Sequence, residues 1–353
     1  MPSMSPLPDG THFKEIQNFR TNYSDTTITQ YESTRTGLRV VVVDQESPMV
    51  HGSFALATEI HDDSGAPHTL EHLCFMGSKN YPYKGVLDKL ANRAYSDTNA
   101  FTGTEYTGYV LHSAGWDGFI QILPVYLEHI ILPTLTDSSC YTEVHHVDGA
   151  GNDAGVVYSE MQGSENSLEQ LVFQKSKRML YPEGIGFRYE TFGVMESLRK
   201  LTINRIREFH RDIYQPKNLC LVIIGEVDHP NLLNVLDKSE ETLLQEVPKL
   251  DAPFRRPWVD SKQASALEMS VIDTVEFPEE DESSGQITTM FFGPRNTDKL
   301  SCKHINPGPM SVFADVYLRP CNGCFACVPC WLIRIGLREY LSRKRASGKC
   351  CLL

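Results

Sequence analysis

Residues 37–60 read GLRVVVVDQESPMVHGSFALATEI, and no other stretch restricts the fold as tightly. Two β-rich runs flank a polar turn at residues 45–48, a pattern that predicts neighbouring strands entering one sheet. Gly65-Ala66-Pro67 then stops the extended chain. From His68 onward, Leu70, Leu73, Cys74 and Met76 recur at roughly helical spacing, so a helix is expected to start there and pack on the sheet.

The remaining chain continues to alternate strands with helices. Residues 86–95 and a longer stretch around 118–132 have helical patterning, and residues 99–114 alternate like a strand. Residues 155–182 space their apolar positions for one amphipathic helix, which Pro182 halts. LTINRIREFHRDIY (201–214) is helical, and LCLVIIG (219–225) is a compact buried strand. The expected fold class is α/β, a sheet packed against one layer of helices. At 353 residues the chain is long for one domain and suits two, and 41% hydrophobic with 22% charged residues is the balance of a globular protein.

Within the expected helix, His68-Thr69-Leu70-Glu71-His72 sets two imidazoles four residues apart. They share one face and can meet a single tetrahedral metal ion. Glu71 can touch a water at that metal without being a ligand, and the order reverses the H-E-x-x-H zinc motif. With 12 histidines and 45 acidic residues in the chain, a chance match is roughly a one-in-twenty event. A catalytic zinc keeps three protein ligands and one open position. The candidates for the third ligand follow Gly155: Glu160 is the first carboxylate and Glu165 the second, and only one would face the metal.

HTLEHLCFMGSKNYP, NAFT and GVVYSEMQG together resemble the zinc peptidases of the insulinase, pitrilysin and presequence-protease superfamily. The V-V-x-x-E-M-x-G setting is similar to the presequence-protease branch, and the likeness extends from about Arg20 to Pro294. The resemblance implies a mixed sheet covered on one side by helices, as in the mitochondrial-processing-peptidase-like metallohydrolase fold. It implies one Zn2+ per chain with Glu160, not Glu165, as third ligand. A carboxylate shortly before that ligand supports the site in the family; the position here is Asp153, where glutamate is more usual. The implied activity is endopeptidase cleavage of short or unfolded peptides, with Glu71 as general base toward water. Asn99-Ala100-Phe101-Thr102 matches the family's edge strand, to which substrate backbone adds, although Phe101 also suits an ordinary core strand.

The organisation expected on this basis is an N-terminal extension (1–20), a zinc-binding catalytic domain (21–272), an acidic linker with the start of a second homologous lobe (273–309) and an atypical Cys-rich tail (310–353). Family members enclose substrate between two homologous halves, the second supplying arginine and tyrosine. The likeness stops before the tail, so the chain is expected to be truncated and, alone, to be weakly active or to need a second half or a full-length paralogue as partner. The alternative function is a non-catalytic homologue that binds peptides or assembles with such a paralogue.

A formal charge of −12 opposes nucleic acid as a partner. The most apolar run, FIQILPVYLEHIILPTL, is interrupted by Pro124, Glu128 and His129, so it is expected to be a buried helix and no transmembrane segment is expected. The N-terminal stretch lacks the apolar core of a secretory signal, and Asp9 and Glu15 sit badly with a mitochondrial presequence. The expected location is cytoplasmic, with the mitochondrial matrix as the alternative. His129 reads as an interior histidine, and His145 and His146 receive no role. The run from Cys321 to Cys330 falls short of the ferredoxin spacing. Cys350-Cys351-Leu352-Leu353 fits a prenylation box.

Overall fold

The computed structural model describes residues 7–24, 26–247, 250, 252–262, 264, 270–278 and 287–290, and the backbone of residues 285–286, 314–318 and 349–352. Along the chain the strands are β1 (Phe13–Arg20), β2 (Thr27–Ser33), β3 (Arg39–Asp44), β4 (Val50–Ala57), β5 (Ser96–Thr102), β6 (Tyr106–Ser113), the short ribbon β7 (His146–Val147) with β8 (Asp153–Ala154), β9 (Leu219–Gly225), β10 (Asp273–Glu276), β11 (Gly285–Thr289), β12 (Ala314–Leu318) and β13 (Lys349–Leu352). The helices are α1 (Ala66–Cys74), α2 (Val86–Arg93), α3 (Trp116–Ile131), α4 (Asp137–Glu143), α5 (Val156–Ser164), α6 (Leu168–Leu180), α7 (Met195–Leu198), α8 (Ile203–Ile213) and α9 (His229–Glu246). They divide into two compact units, residues 1–162 with 184–263 and residues 163–183 with 264–353.

In the first unit seven strands form a mixed sheet in the order β1-β2-β3-β9-β4-β6-β5. Only β3 and β9 run parallel; the other pairs are antiparallel. One row of side chains crosses the sheet in register: Tyr31, Val40, Leu221, Phe54 and Tyr109. All five are buried against Leu70 and Leu73 of α1, Phe119 and Leu123 of α3, Ile206 of α8 and Leu232 of α9. Each such side chain contributes about 1.5–3 kcal/mol on leaving water, so this face holds the helices to the sheet. The alternate positions Val41, Val43, Val222 and Ile224 stay partly exposed, so the helices lie on one side.

Several local expectations give way. The runs at β3 and β4 share a sheet but do not touch, because β9 enters between them, parallel to one and antiparallel to the other. Residues 45–49 need only arch over two strand spacings, about 10 Å, to permit this. Residues 99–114 form a hairpin, not one strand: the chain turns after Gly103, whose N–H donates to the Tyr106 carbonyl at 2.8 Å. The expected long helix over 155–182 is two helices, and Ser167 caps the second by accepting from the Gln170 N–H. Within the stretch expected as an N-terminal extension, Phe13–Arg20 form β1, which pairs with β2.

The second unit holds α6 and a four-stranded sheet in the order β10-β13-β11-β12. Residues 163–183, expected inside a single domain 21–272, thus group with the later chain; Lys175 Nζ lies 2.6 Å from Asp273 Oδ2. β11 follows the acidic run of residues 276–284 in the sequence. The cysteine run from Cys321 to Cys330 lies outside the described residues, and of the terminal Cys-Cys-Leu-Leu only a strand backbone is described. Among the described residues, no helix is long and apolar enough to cross a membrane.

Candidate metal centre

α1 begins where Gly65, at φ 74°, turns the chain, and Pro67 enters the first turn, where a missing N–H costs nothing. Glycine is required at 65: a Cβ there would stand 2.6 Å from the Phe192 carbonyl oxygen. Every residue of the helix except His72 is buried. The motif therefore sits in a medium of low polarity, where charge interactions are strong.

His68 Nε2 and His72 Nε2 lie 3.3 Å apart. Glu160 Oε2, on α5, stands 3.6 Å from the first and 3.5 Å from the second. Tetrahedral zinc bonds of roughly 2.0–2.1 Å separate neighbouring ligand atoms by roughly 3.3–3.4 Å, so the three atoms already approximate one face of such a shell. Among the described residues, this is the one cluster that brings three potential ligand atoms within 4.8 Å of one another. Glu165 follows the end of α5 and is not part of it. In front of the three residues opens a cleft of about 420 Å³, which Glu71, Asn99 and Ala100 also line.

The electrostatics differ between the two histidines. Burial, and then the nearby His72, push the pKa of His68 down to about 3, so it is neutral and ready to donate a lone pair. Burial also opposes charge on His72, but the carboxylates of Glu143, Glu160 and Glu71 outweigh it and raise its pKa. Burial raises the pKa of Glu71, against the opposing effects of Thr102 and His72. Thr102 Oγ1 donates to Glu71 Oε2, while Oε1 is not part of that bond.

Glu143 is the residue that sequence reasoning missed. It ends α4, is 5% exposed, and places Oε2 3.8 Å from His72 Nδ1, too long for a direct hydrogen bond but close enough for its charge to act. Lys84 Nζ holds its other oxygen at 2.7 Å. Its pKa is lowered, by His72 first and by Lys84. Asp153, expected in this supporting role, touches neither motif histidine. It accepts instead from Tyr158 Oη at 2.8 Å and from Arg199 at 2.9 Å, and pairs with His145 Nε2 at 2.7 Å. Counting back from Glu160 misleads because the β7–β8 ribbon lies between α4 and α5, so the count lands on the ribbon.

β5 is the outermost strand of the sheet, which leaves one edge of Asn99–Thr102 without a strand partner among the described residues. Thr102 points inward to Glu71, whereas Phe101 is 46% exposed and lies over Gly108. The core reading of Phe101 is therefore wrong. The Ala100 N–H is held by Asn99 Oδ1 at 2.8 Å. His129 is interior as expected, 1% exposed with Nδ1 2.8 Å from the Val125 carbonyl.

A mixed sheet with one helix layer and an inverted H-x-x-E-H helix beside its edge strand defines an insulinase-type unit. Residues 52–179 match the model of the insulinase family, peptidase family M16, and residues 200–301 match that of the peptidase M16 inactive domain. The chain belongs to this family. It is 45% identical over 292 residues to an uncharacterised protein of Saccharomyces cerevisiae, covering 81% of this chain and 28% of that one. An uncharacterised protein of Caenorhabditis elegans is 41% identical over 279 residues, 78% of this chain and 28% of the relative. The mitochondrial presequence protease of Candida albicans is 26% identical over 246 residues, 67% and 23% respectively. Crystalline pitrilysin shares the fold at a TM-score of 0.55 and 16% identity, over 79% of this chain and 28% of its own. The chain spans about 30% of the length of uncharacterised relatives such as these.

Proposed function

We propose that this unit is the catalytic half of a zinc-dependent endopeptidase acting on extended peptides. The observation that carries the reading is the convergence of His68 Nε2, His72 Nε2 and Glu160 Oε2 at 3.3–3.6 Å beside Glu71. Two neutral imidazoles and one carboxylate are the donor set of hydrolytic zinc sites. Zinc held there would supply Lewis acidity toward a peptide carbonyl and a water molecule.

The chain's own residues do the rest. A peptide adds as a strand along β5, exchanging the bond between Asn99 Oδ1 and the Ala100 N–H for backbone pairing. That mode selects extended backbone over particular side chains. Glu71, steadied by Thr102, accepts a proton from the attacking water and returns it to the leaving amine. Glu143 orients His72, and Asp153 acts at one remove by holding Tyr158, two residues before Glu160 on α5. A second homologous half would complete the enclosure around substrate.

A fluorogenic peptide assay with and without chelator, run beside metal analysis, tests the reading. Glu71→Gln should abolish hydrolysis while zinc stays bound. A chain that carries zinc and binds peptide but cleaves nothing, even with a second half supplied, is instead the non-catalytic peptide-binding homologue.

A further inference from the structure

The face of the first unit's sheet that carries no helices bears another histidine pair. His51 on β4 and His112 on β6 are direct cross-strand partners. Their chain neighbours Val50 and Ser113 are buried with the helix-covered face, so by the alternation of a strand both imidazoles stand on the other side. There the rings meet edge to face with centroids 4.8 Å apart and planes at 73°. His68 and His72 have the same centroid separation, 4.8 Å, at 87°. Neither His51 nor His112 makes a hydrogen bond or ion pair among the described residues, so their ring nitrogens are uncommitted.

The row continues on both sides. Ile224 of β9 pairs with His51 and walls one flank, while the exposed Asp97 of β5 pairs with His112 on the other. Asp97 also has no hydrogen bond or ion pair among the described residues. Directly opposed residues place their Cβ atoms roughly 4.5–5.5 Å apart, a span that two imidazoles close on a single ion. Imidazole suits zinc and copper, and a carboxylate alongside offsets the ion's charge.

We propose that His51 and His112 form a second site for a divalent transition-metal ion of the zinc and copper class, with Asp97 beside it and water filling the remaining positions. It binds more weakly than the first site, because only His68, His72 and Glu160 gather three ligand atoms among the described residues. By the usual order of divalent affinities it prefers Cu2+ to Zn2+. The proposal is independent of whether the first site is catalytic.

Equilibrium dialysis of the full chain against Cu2+ and, separately, Zn2+, with metal counted by mass spectrometry, tests it. The wild-type chain should take up two equivalents, and His51→Gln or His112→Gln should each lose one. His68→Ala should keep the equivalent at the pair, and its Cu2+ resonance spectrum should show coupling to two imidazole nitrogens. A single equivalent in the wild-type chain, or a second that survives both glutamine variants, overturns the site and leaves the rings as a packing pair. Should either variant fail to fold, the spectrum of His68→Ala still decides, since absence of imidazole coupling rejects the proposal.

Discussion

Thr102 Oγ1 donates a 2.5 Å hydrogen bond to Glu71 Oε2, joining the edge strand β5 to the motif helix α1. One side chain thus ties the strand expected to receive substrate to the group expected to move the proton. A hydrogen bond to a charged group is worth roughly 1.5–3 kcal/mol, so Thr102→Val should lower kcat by about tenfold or more. Zinc content should stay the same, and Thr102→Ser should restore most of the rate. Metal analysis beside steady-state kinetics checks this; a variant that loses zinc in proportion to activity would mean that Thr102 holds the helix and not the base.

Glu143 and Glu160 should separate by their effects on metal. Glu160→Ala removes a proposed ligand and should leave the chain without stoichiometric zinc. Glu143→Gln keeps the ligands but withdraws the charge behind His72, so affinity should fall by about 10–100-fold. Titration against a zinc-buffered indicator measures both. Wild-type affinity in Glu143→Gln would show that Lys84 alone gives Glu143 its purpose.

Asp153 draws His145, Tyr158 and Arg199 together, and Tyr158 itself is fully buried. Asp153→Ala should loosen α5 and weaken zinc binding by roughly tenfold, the low end for outer ligand support. Tyr158→Phe should show the same direction with a smaller change. If zinc affinity in Asp153→Ala is unaltered while the melting temperature drops, the cluster serves the fold alone.

Acid should destabilise the first unit through a histidine outside the candidate metal centre. His210 is buried with Nε2 3.3 Å from the Ile130 carbonyl, and burial lowers its pKa from 6.5 to about 4. The unfolded chain therefore binds the proton first. Its contribution is complete above pH 6.5 and is lost as pH falls through the interval down to about 4, at about 1.4 kcal/mol per pH unit. Between pH 6.5 and 5 the loss is about 2 kcal/mol. His210→Gln should flatten that slope in urea unfolding curves; an unchanged slope would place the acid sensitivity elsewhere.

The parts of the molecule that could be read from sequence are those set by local periodicity. The valine run of β3, the alternation of β9 and the spacing of His68 and His72 depend on neighbours within a few residues, and each forms as the pattern requires. What depends on distant partners could not be read. Nothing near residue 44 reveals that β9 will enter between β3 and β4, since that choice is made by pairing across about 180 residues. The role of Glu143 was hidden for the same reason: its distance from His72 is fixed by how α4 packs on α1, not by sequence separation. By type alone Phe101 suits a core strand as well as an edge strand, yet strand alternation sends it outward because Thr102 must face Glu71.

Gly155 offers the sharpest test of how Glu160, the proposed third ligand, is placed. It sits at φ 132° immediately before α5, and a Cβ there would stand 2.4 Å from the Val144 carbonyl oxygen. The same carbonyl accepts from the Tyr158 N–H at 3.2 Å, so it seats the first turn of the helix that carries Glu160. Gly155→Ala combines a disfavoured backbone conformation with a clash against backbone that cannot rotate away, a cost of roughly 1–3 kcal/mol. The helix start must shift, and Glu160 moves with it. We expect zinc affinity to fall by at least tenfold with far-UV circular dichroism little changed, whereas Gly163→Ala, on the same helix with open space around its Cβ, should bind zinc like the wild-type chain. Equal zinc affinity in Gly155→Ala and Gly163→Ala would show that α5 finds its place without the contact at Val144.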